Sequence, residues 1–180
     1  VMEPLEARGV VPEVDRDTRR RALIGLTNEM AATGLTGTTD ASSDLDLWIA
    51  ATDALERDEL PVRLGLMPRI GRDLYPICKD IGMRSGFGNE RLRIVAAKFG
   101  ADGSASERTM AMSEPYEGTD DHGILTATEE EIDAAVEDAV AHGLRIDLDA
   151  NGDVAIDMVL KAYERVLADW EGVNPRLRIE

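Results

Sequence analysis

The sequence predicts an α/β fold on three observations. Stretches with an apolar residue every three or four positions alternate with short extended runs rich in Val, Ile and Leu. The connections between successive extended runs are long enough for the crossover that parallel strands require. Helix-start and helix-stop residues fall at the borders of the periodic stretches. The resulting order is one helix, then about five parallel strands alternating with four helices. An open doubly wound sheet and a piece of a (β/α)8 barrel both satisfy this order, and periodicity does not choose between them. A full barrel takes roughly 250 residues, so a chain of 180 residues read as a barrel is an incomplete one.

The first helix is expected to start near Asp15, with Ala22, Leu23, Leu26 and Met30 on one stripe, and to stop at Gly34. "LTGTTDAS" reads as a strand, and "SDLDLWIAATDALERDEL" regains helical spacing through Leu45, Trp48, Ile49 and Leu55. Pro61 opens a strand that alternates Val62, Leu64 and Leu66. "RDLYPICKDIGM" is a weaker helix because Pro76 sits inside it. "RLRIVAAKFGADG" is one apolar strand with Lys98 near its end. The polar stretch "SASERTMAMSEPYEGTDDHGILTA" is longer than most connections in a compact domain, and such loops are usually functional. Thr128 and Glu131 form a capping box for a helix that Gly143 closes. "LRIDLDA" is a strand, "GDVAIDMVLKAYERVLADW" an amphipathic helix, and "RLRIE" a last strand. All 180 residues are read as one domain.

Charge narrows the partners. The chain holds 36 acidic and 20 basic residues, a net charge of −16. Its surface field repels phosphate backbones and anionic membranes, so neither nucleic acid nor a membrane is expected as a partner. Most of the acids lie on solvated helix faces such as "TEEEIDAAVEDAVAHG". Cys78 is the only cysteine, which excludes an internal disulfide and a CxxC site and fits a reducing cytoplasm. The start "VMEPLEARGVV" lacks the features of a secretory leader, and no apolar run reaches membrane-spanning length.

"RIDLDANGDVAID" resembles the start of a calcium loop, with Asp147, Asp149, Asn151 and Gly152 at the first, third, fifth and sixth positions. The twelfth position is Met158, which has no oxygen ligand to give, and a strand rather than a helix precedes the run. At the carboxyl end of a parallel strand, Asp149, Asn151 and Asp153 would instead face the edge where α/β folds carry their chemistry. Asp153 also suits a plain helix N-cap.

Several stretches together resemble the amidohydrolase superfamily, specifically the amidohydrolase family 3 group that includes N-substituted formamide deformylase. They are "RALIGLTNEMAATGLTGTTDAS", "PVRLGLMPR", "KFGADGSASERTMAMSEPYEG", "GLRIDLDANGDVAIDMVLKAYERV" and "RLRIE", and they run in family order over nearly the whole chain. The resemblance implies the barrel alternative: a TIM-barrel segment from the middle of a metal-dependent hydrolase that cleaves a non-peptide C–N bond in a small-molecule amide. It implies a divalent metal, expected to be zinc, which lowers the pKa of bound water and polarises the scissile carbonyl.

Lys98 matches the family lysine that bridges metals as a carbamate, and Asp149 stands where the family has a histidine ligand. Arg108 and Tyr116 match a family arginine and tyrosine and would line the substrate pocket, with Met110 and Met112 either as its apolar walls or in ordinary loop packing; on the hydrolase reading Asp102 and Asp153 would support catalysis. The family's His-x-His pair is absent, since only His122 and His142 occur, and its "RIEH" histidine would follow Glu180. The isolated chain is therefore expected to be inactive. The alternative is a non-catalytic binding module using the acidic calcium-like loop 147–153. Open barrel edges would favour a homo-oligomer.

Overall fold

A computed structural model of the chain describes residue 9 and residues 12–168, 171–172 and 174–180. Helix α1 (Arg16–Ala32) is capped by Asp15, which accepts from the Thr18 N–H at 2.9 Å, and ends at Thr33 before Gly34 with φ 89°. Strand β1 (Gly37–Ser43) and helix α2 (Leu45–Glu56, capped by Asp44) follow. Next come β2 (Arg63–Pro68), α3 (Leu74–Asp80), β3 (Leu92–Ile94) and β4 (Ala97–Gly100). Pro76 falls in the first turn of α3, where its missing N–H has no intrahelical partner to lose. The chain closes with α4 (Glu129–Ala141), β5 (Ile146–Asp149), α5 (Asp153–Ala168) and β6 (Arg178–Ile179). The capping box of Thr128 and Glu131 is present as expected. The end expected for the last helix, Asp169 and Trp170, lies outside the described residues.

All strand pairs are parallel and form two sheets, β1-β2-β3 and β4-β5-β6. The stretch read as one strand, 91–103, is split at Val95 and Ala96. Leu92, Ile94 and Ala97 are buried in the core, so two residues stand on the inner side where a regular pleat allows one, the signature of a bulge. Strand β2 nevertheless follows the whole run: Val95 N–H donates to Leu66 O and Ile70 N–H to Lys98 O, both at 2.9 Å. The two sheets therefore join into one arc of five strand positions, an α/β segment of the partial TIM-barrel type.

The helices cover the outer face of this arc. Leu64, Leu66, Leu92, Ile94, Ile146 and Leu148 project into a core completed by Ala51, Leu74, Ile132, Val136, Ala155 and Val159. Continuous apolar burial on that side is what parallel strands under helices require. One expected stripe is turned: α1 buries Arg20 and Thr27 and half-buries Leu23 and Ile24, whereas Leu26 is 53% exposed. Arg20 is held there by Asp17 and Glu59. Ala22, Leu26 and Met30 instead line an apolar groove with Leu47 and Leu64.

Candidate functional site

The carboxyl ends of β4, β5 and β6 bring charged side chains of both signs onto the inner face. Lys98 is 1% exposed, and its ammonium donates to Glu180 Oε2 at 2.9 Å and Asp149 Oδ1 at 3.1 Å. Asp147 Oδ1 lies 3.9 Å from the same nitrogen. Register explains the meeting: Lys98 is level with Asp147, and Asp147 with Arg178. Asp149 and Glu180 stand two residues further on, on the same faces of their strands. Asp147 is fully buried, and neither of its oxygens receives a hydrogen bond, although Arg178 Nη2 approaches to 2.8 Å. Burial raises its pKa above the ordinary carboxylate value, and the charges of Lys98 and Arg178 only partly oppose this. Arg178 also pairs with Glu180.

The loop after β4 is fastened over this end by two carboxylates. Asp102, 8% exposed, accepts the backbone N–H groups of Gly152 at 2.7 Å and of Asn151 and Ala111 at 2.9 Å. Asp153, at the start of α5, accepts from the N–H of Ser113 at 2.9 Å and from its hydroxyl. These bonds from Ser113 hold the Asp153 carboxyl below its usual value. Gly152 is required at its position, since a Cβ there would stand 1.9 Å from Ala111 O. Within the loop the Arg108 guanidinium lies 5.3 Å from the centre of the Tyr116 ring, and the Tyr116 hydroxyl donates to Met110 O at 2.9 Å. Arg108 has φ 55°, an uncommon left-handed conformation for a non-glycine residue.

A model of the amidohydrolase family matches residues 1–180. The chain belongs to that family. None of the curated proteins compared with it matches. Among solved structures, this amidohydrolase-family chain is similar to an uncharacterized metal-dependent hydrolase from Pyrococcus furiosus, at 22% identity and TM-score 0.80, over 91% of this chain and 34% of that one. It is equally similar to an uncharacterized metal-dependent hydrolase from Pyrococcus horikoshii OT3, at 24% identity and TM-score 0.80, over 89% of this chain and 33% of that one. The chain thus spans about a third of the length of the structures it matches, and at these identities the likeness is one of fold.

Within this amidohydrolase fold, the six residues singled out from the sequence fall into three groups. Lys98 and Asp149 are in direct contact, Arg108 and Tyr116 stack on each other, and Asp102 and Asp153 fasten the same loop to the β5–α5 turn. Among the described residues no group of three His, Cys, Asp or Glu side chains is placed to hold a metal. The Lys98 ammonium already stands among the carboxylates of Asp147, Asp149 and Glu180 and offsets part of their charge. The described residues alone therefore do not fit a metal ion.

The calcium-type loop is not formed either. Residues 146–149 are a β-strand, Asp147 and Asp149 are engaged with Lys98 and Arg178, and Asn151 Nδ2 donates to Gly103 O at 2.9 Å. His122 lies in the loop with Nδ1 3.0 Å from Met112 O, and His142 caps the end of α4 with Nδ1 2.7 Å from Asp138 O. Sequence reading missed Glu180 and Arg178, although alternation along "RLRIE" already puts both on one face.

Proposed function

We propose that the chain is the central stretch of the catalytic barrel of a metal-dependent hydrolase acting on non-peptide C–N bonds in small-molecule amides, of the N-substituted formamide type. The observation that carries this reading is the contact of the buried Lys98 with the half-exposed Asp149 at the carboxyl ends of adjacent parallel strands, the end at which barrel enzymes build their sites. In the complete enzyme Lys98 and Asp149 are candidate ligands for the metal, expected to be zinc. Asp102 and Asp153 support catalysis by position: each holds loop backbone in place through accepted hydrogen bonds. Arg108 and Tyr116 form the substrate-facing pair, with a guanidinium and an aromatic face available to a polar amide.

The 180 residues act as one domain, and no described helix is long and apolar enough to cross a membrane. A cytoplasmic setting and self-association through the open edges at β1 and β6 belong to the same reading. The isolated chain is inactive, because two ligand positions do not fix an ion. Incubating it with zinc and an N-substituted formamide should release no amine above the metal-only blank. Turnover that depends on zinc and is lost in Lys98→Met would overturn the inactivity and leave the chain a complete enzyme.

A further inference from the structure

The Asn151–Gly152 step, in the turn between β5 and α5, joins a reactive sequence to a fixed geometry. The chain has four asparagines, and the other three are followed by Glu29, Glu90 and Pro175. A glycine after asparagine leaves the peptide nitrogen without a neighbouring side chain to shield it, so this step is the most prone of the four to close on the asparagine's own amide. We propose that Asn151–Gly152 is a deamidation site that the Asp102 carboxylate holds shut, and that conversion at 151 releases the loop 103–127.

The chemistry needs no reagent but water. The Gly152 nitrogen gives up its proton to base and bonds to Asn151 Cγ. The Cγ–Nδ2 bond breaks, and the amide nitrogen takes a proton from water and leaves as ammonia. A five-membered succinimide results. Water then adds at one of its two carbonyls and opens the ring to aspartate or isoaspartate at 151.

Three observations put both reacting groups out of use. The Gly152 N–H donates to Asp102 Oδ2 at 2.7 Å and the Asn151 N–H to Asp102 Oδ1 at 2.9 Å. Removing the Gly152 proton would therefore set an amide anion against a carboxylate that is itself buried. The Asn151 amide is tethered elsewhere, since its Nδ2 donates to Gly103 O at 2.9 Å. The turn backbone is clamped as well: Gly152 is buried against the Ala111 backbone, and its carbonyl accepts from the Ile156 N–H at 2.9 Å. The packing that demands a glycine at 152 thus creates the reactive step, and Asp102 offsets it.

Conversion undoes this lock. It removes the donor to Gly103 O and adds a negative charge close to Asp102. In the isoaspartyl form it also inserts a methylene into the main chain between the two N–H groups that Asp102 holds. Asp102 accepts from the Ala111 N–H too, so a disturbance at 151 reaches the loop. The inference rests on the fold of this turn and stands whether or not the hydrolase reading holds.

The test is to age the chain at mildly alkaline pH, in native buffer and in unfolding urea, and to read residue 151 by peptide mass spectrometry with isoaspartate separated by chromatography. Amide hydrogen exchange of α4 and of Gly152 is followed on the same samples. The native chain should convert at 151 far more slowly than the unfolded one. Asp102→Ala should speed native conversion about tenfold, as expected for loss of a hydrogen bond to a charged acceptor, while the α4 amides stay protected. Asp102→Asn, which keeps the shape and loses the charge, should fall between. Ser113→Ala frees the same loop from Asp153 instead and should leave the rate at 151 as in wild type. Conversion of the native chain as fast as the unfolded one, an unchanged rate in folded Asp102→Ala, or equal acceleration in Ser113→Ala would overturn the proposal. If Asp102→Ala loses α4 protection, wild type in urea below its unfolding transition decides: conversion should rise in step with Gly152 exchange, and conversion indifferent to that exchange would overturn the lock. Converted chain should be cleaved faster than unconverted chain within residues 103–127 in limited proteolysis, and equal cleavage would overturn the release.

Discussion

Removing the ammonium of Lys98 tests the electrostatic centre of the fold directly. In Lys98→Met an apolar side chain of similar length fills the same volume, so the change is one of charge rather than of packing. Lys98 is 1% exposed and Asp147 0%, so the pair most affected is the one fully hidden from water. Breaking a buried ion pair from one side costs about 3–5 kcal/mol. Two features favour the lower end. Arg178 remains 2.8 Å from Asp147, and the side chains of Asp149 and Glu180 are 45% and 36% exposed, so water screens them once Lys98 is gone. The expected loss is about 3 kcal/mol, which moves the urea midpoint down by about 1.5 M at an m-value of about 2 kcal/mol/M. Adding Asp147→Asn should recover at least about 1 kcal/mol, because it removes the stranded charge, and a double-mutant cycle isolates that term. Equilibrium unfolding in urea followed by far-UV circular dichroism reads both. A midpoint shift below about 0.5 M, or no recovery in the double variant, would mean that Lys98 is not the counterion of this carboxylate cluster.

Asp102→Ala strands three backbone donors at once, two of them in the β5–α5 turn and one in the loop. It should cost about 3 kcal/mol and speed limited proteolysis within residues 103–127; unchanged cleavage would remove Asp102 from its fastening role. Asp138 joins α4 to α3 by accepting from Tyr75 and Lys79, both at 2.7 Å. Burial of Asp138 acts against its charge, but those two bonds prevail and lower its pKa, so its contribution is complete above the ordinary carboxylate range and fades as pH falls through the lowered value. Asp138→Asn should therefore cost about 1 kcal/mol at pH 7, a figure already reduced for a side chain that is a third exposed. The gap to wild type should close as pH falls below the ordinary carboxylate range; a gap of constant size between neutral and acid pH would refute the linkage.

Alternation of helix and strand was legible because it rests on local spacing, and so were caps such as Thr128 with Glu131, which depend on residues three apart. The split at Val95 and Ala96 was not legible. A bulge is a matter of register against β2 on one side and β5 on the other, and neither neighbour is visible from the strand itself. The turned face of α1 has a similar cause. Leu26 is as apolar as Leu23, and only the position of α2 and of the β1 edge decides which of them is covered. Asp102 was picked out as a chemical group, yet its partners are backbone N–H groups at 111, 151 and 152, a meeting set by the path of the loop. Lys98 and Asp149 were found as separate positions; that they touch, with Glu180 as the third partner, is a fact of parallel pairing.

The charge around Lys98 also fixes when that residue can be carboxylated. As an ammonium it stands within 4.0 Å of three carboxylates and neutralises part of their charge. Conversion to a carbamate replaces a positive charge by a negative one at the same place, so three attractions become three repulsions, one of them with an Asp147 that has no exposure to water. Only cations lying between these groups could offset that reversal, and among the described residues no cluster is placed to hold one. Carboxylation is thus not expected of this chain by itself. Equilibrating the chain with 13C-labelled bicarbonate at neutral pH should give no carbamate resonance in a carbon NMR spectrum. A resonance that appears without added metal and is lost in Lys98→Met would show that the carboxylate cage tolerates the negative charge, and the electrostatic reasoning applied to Lys98 would then fail.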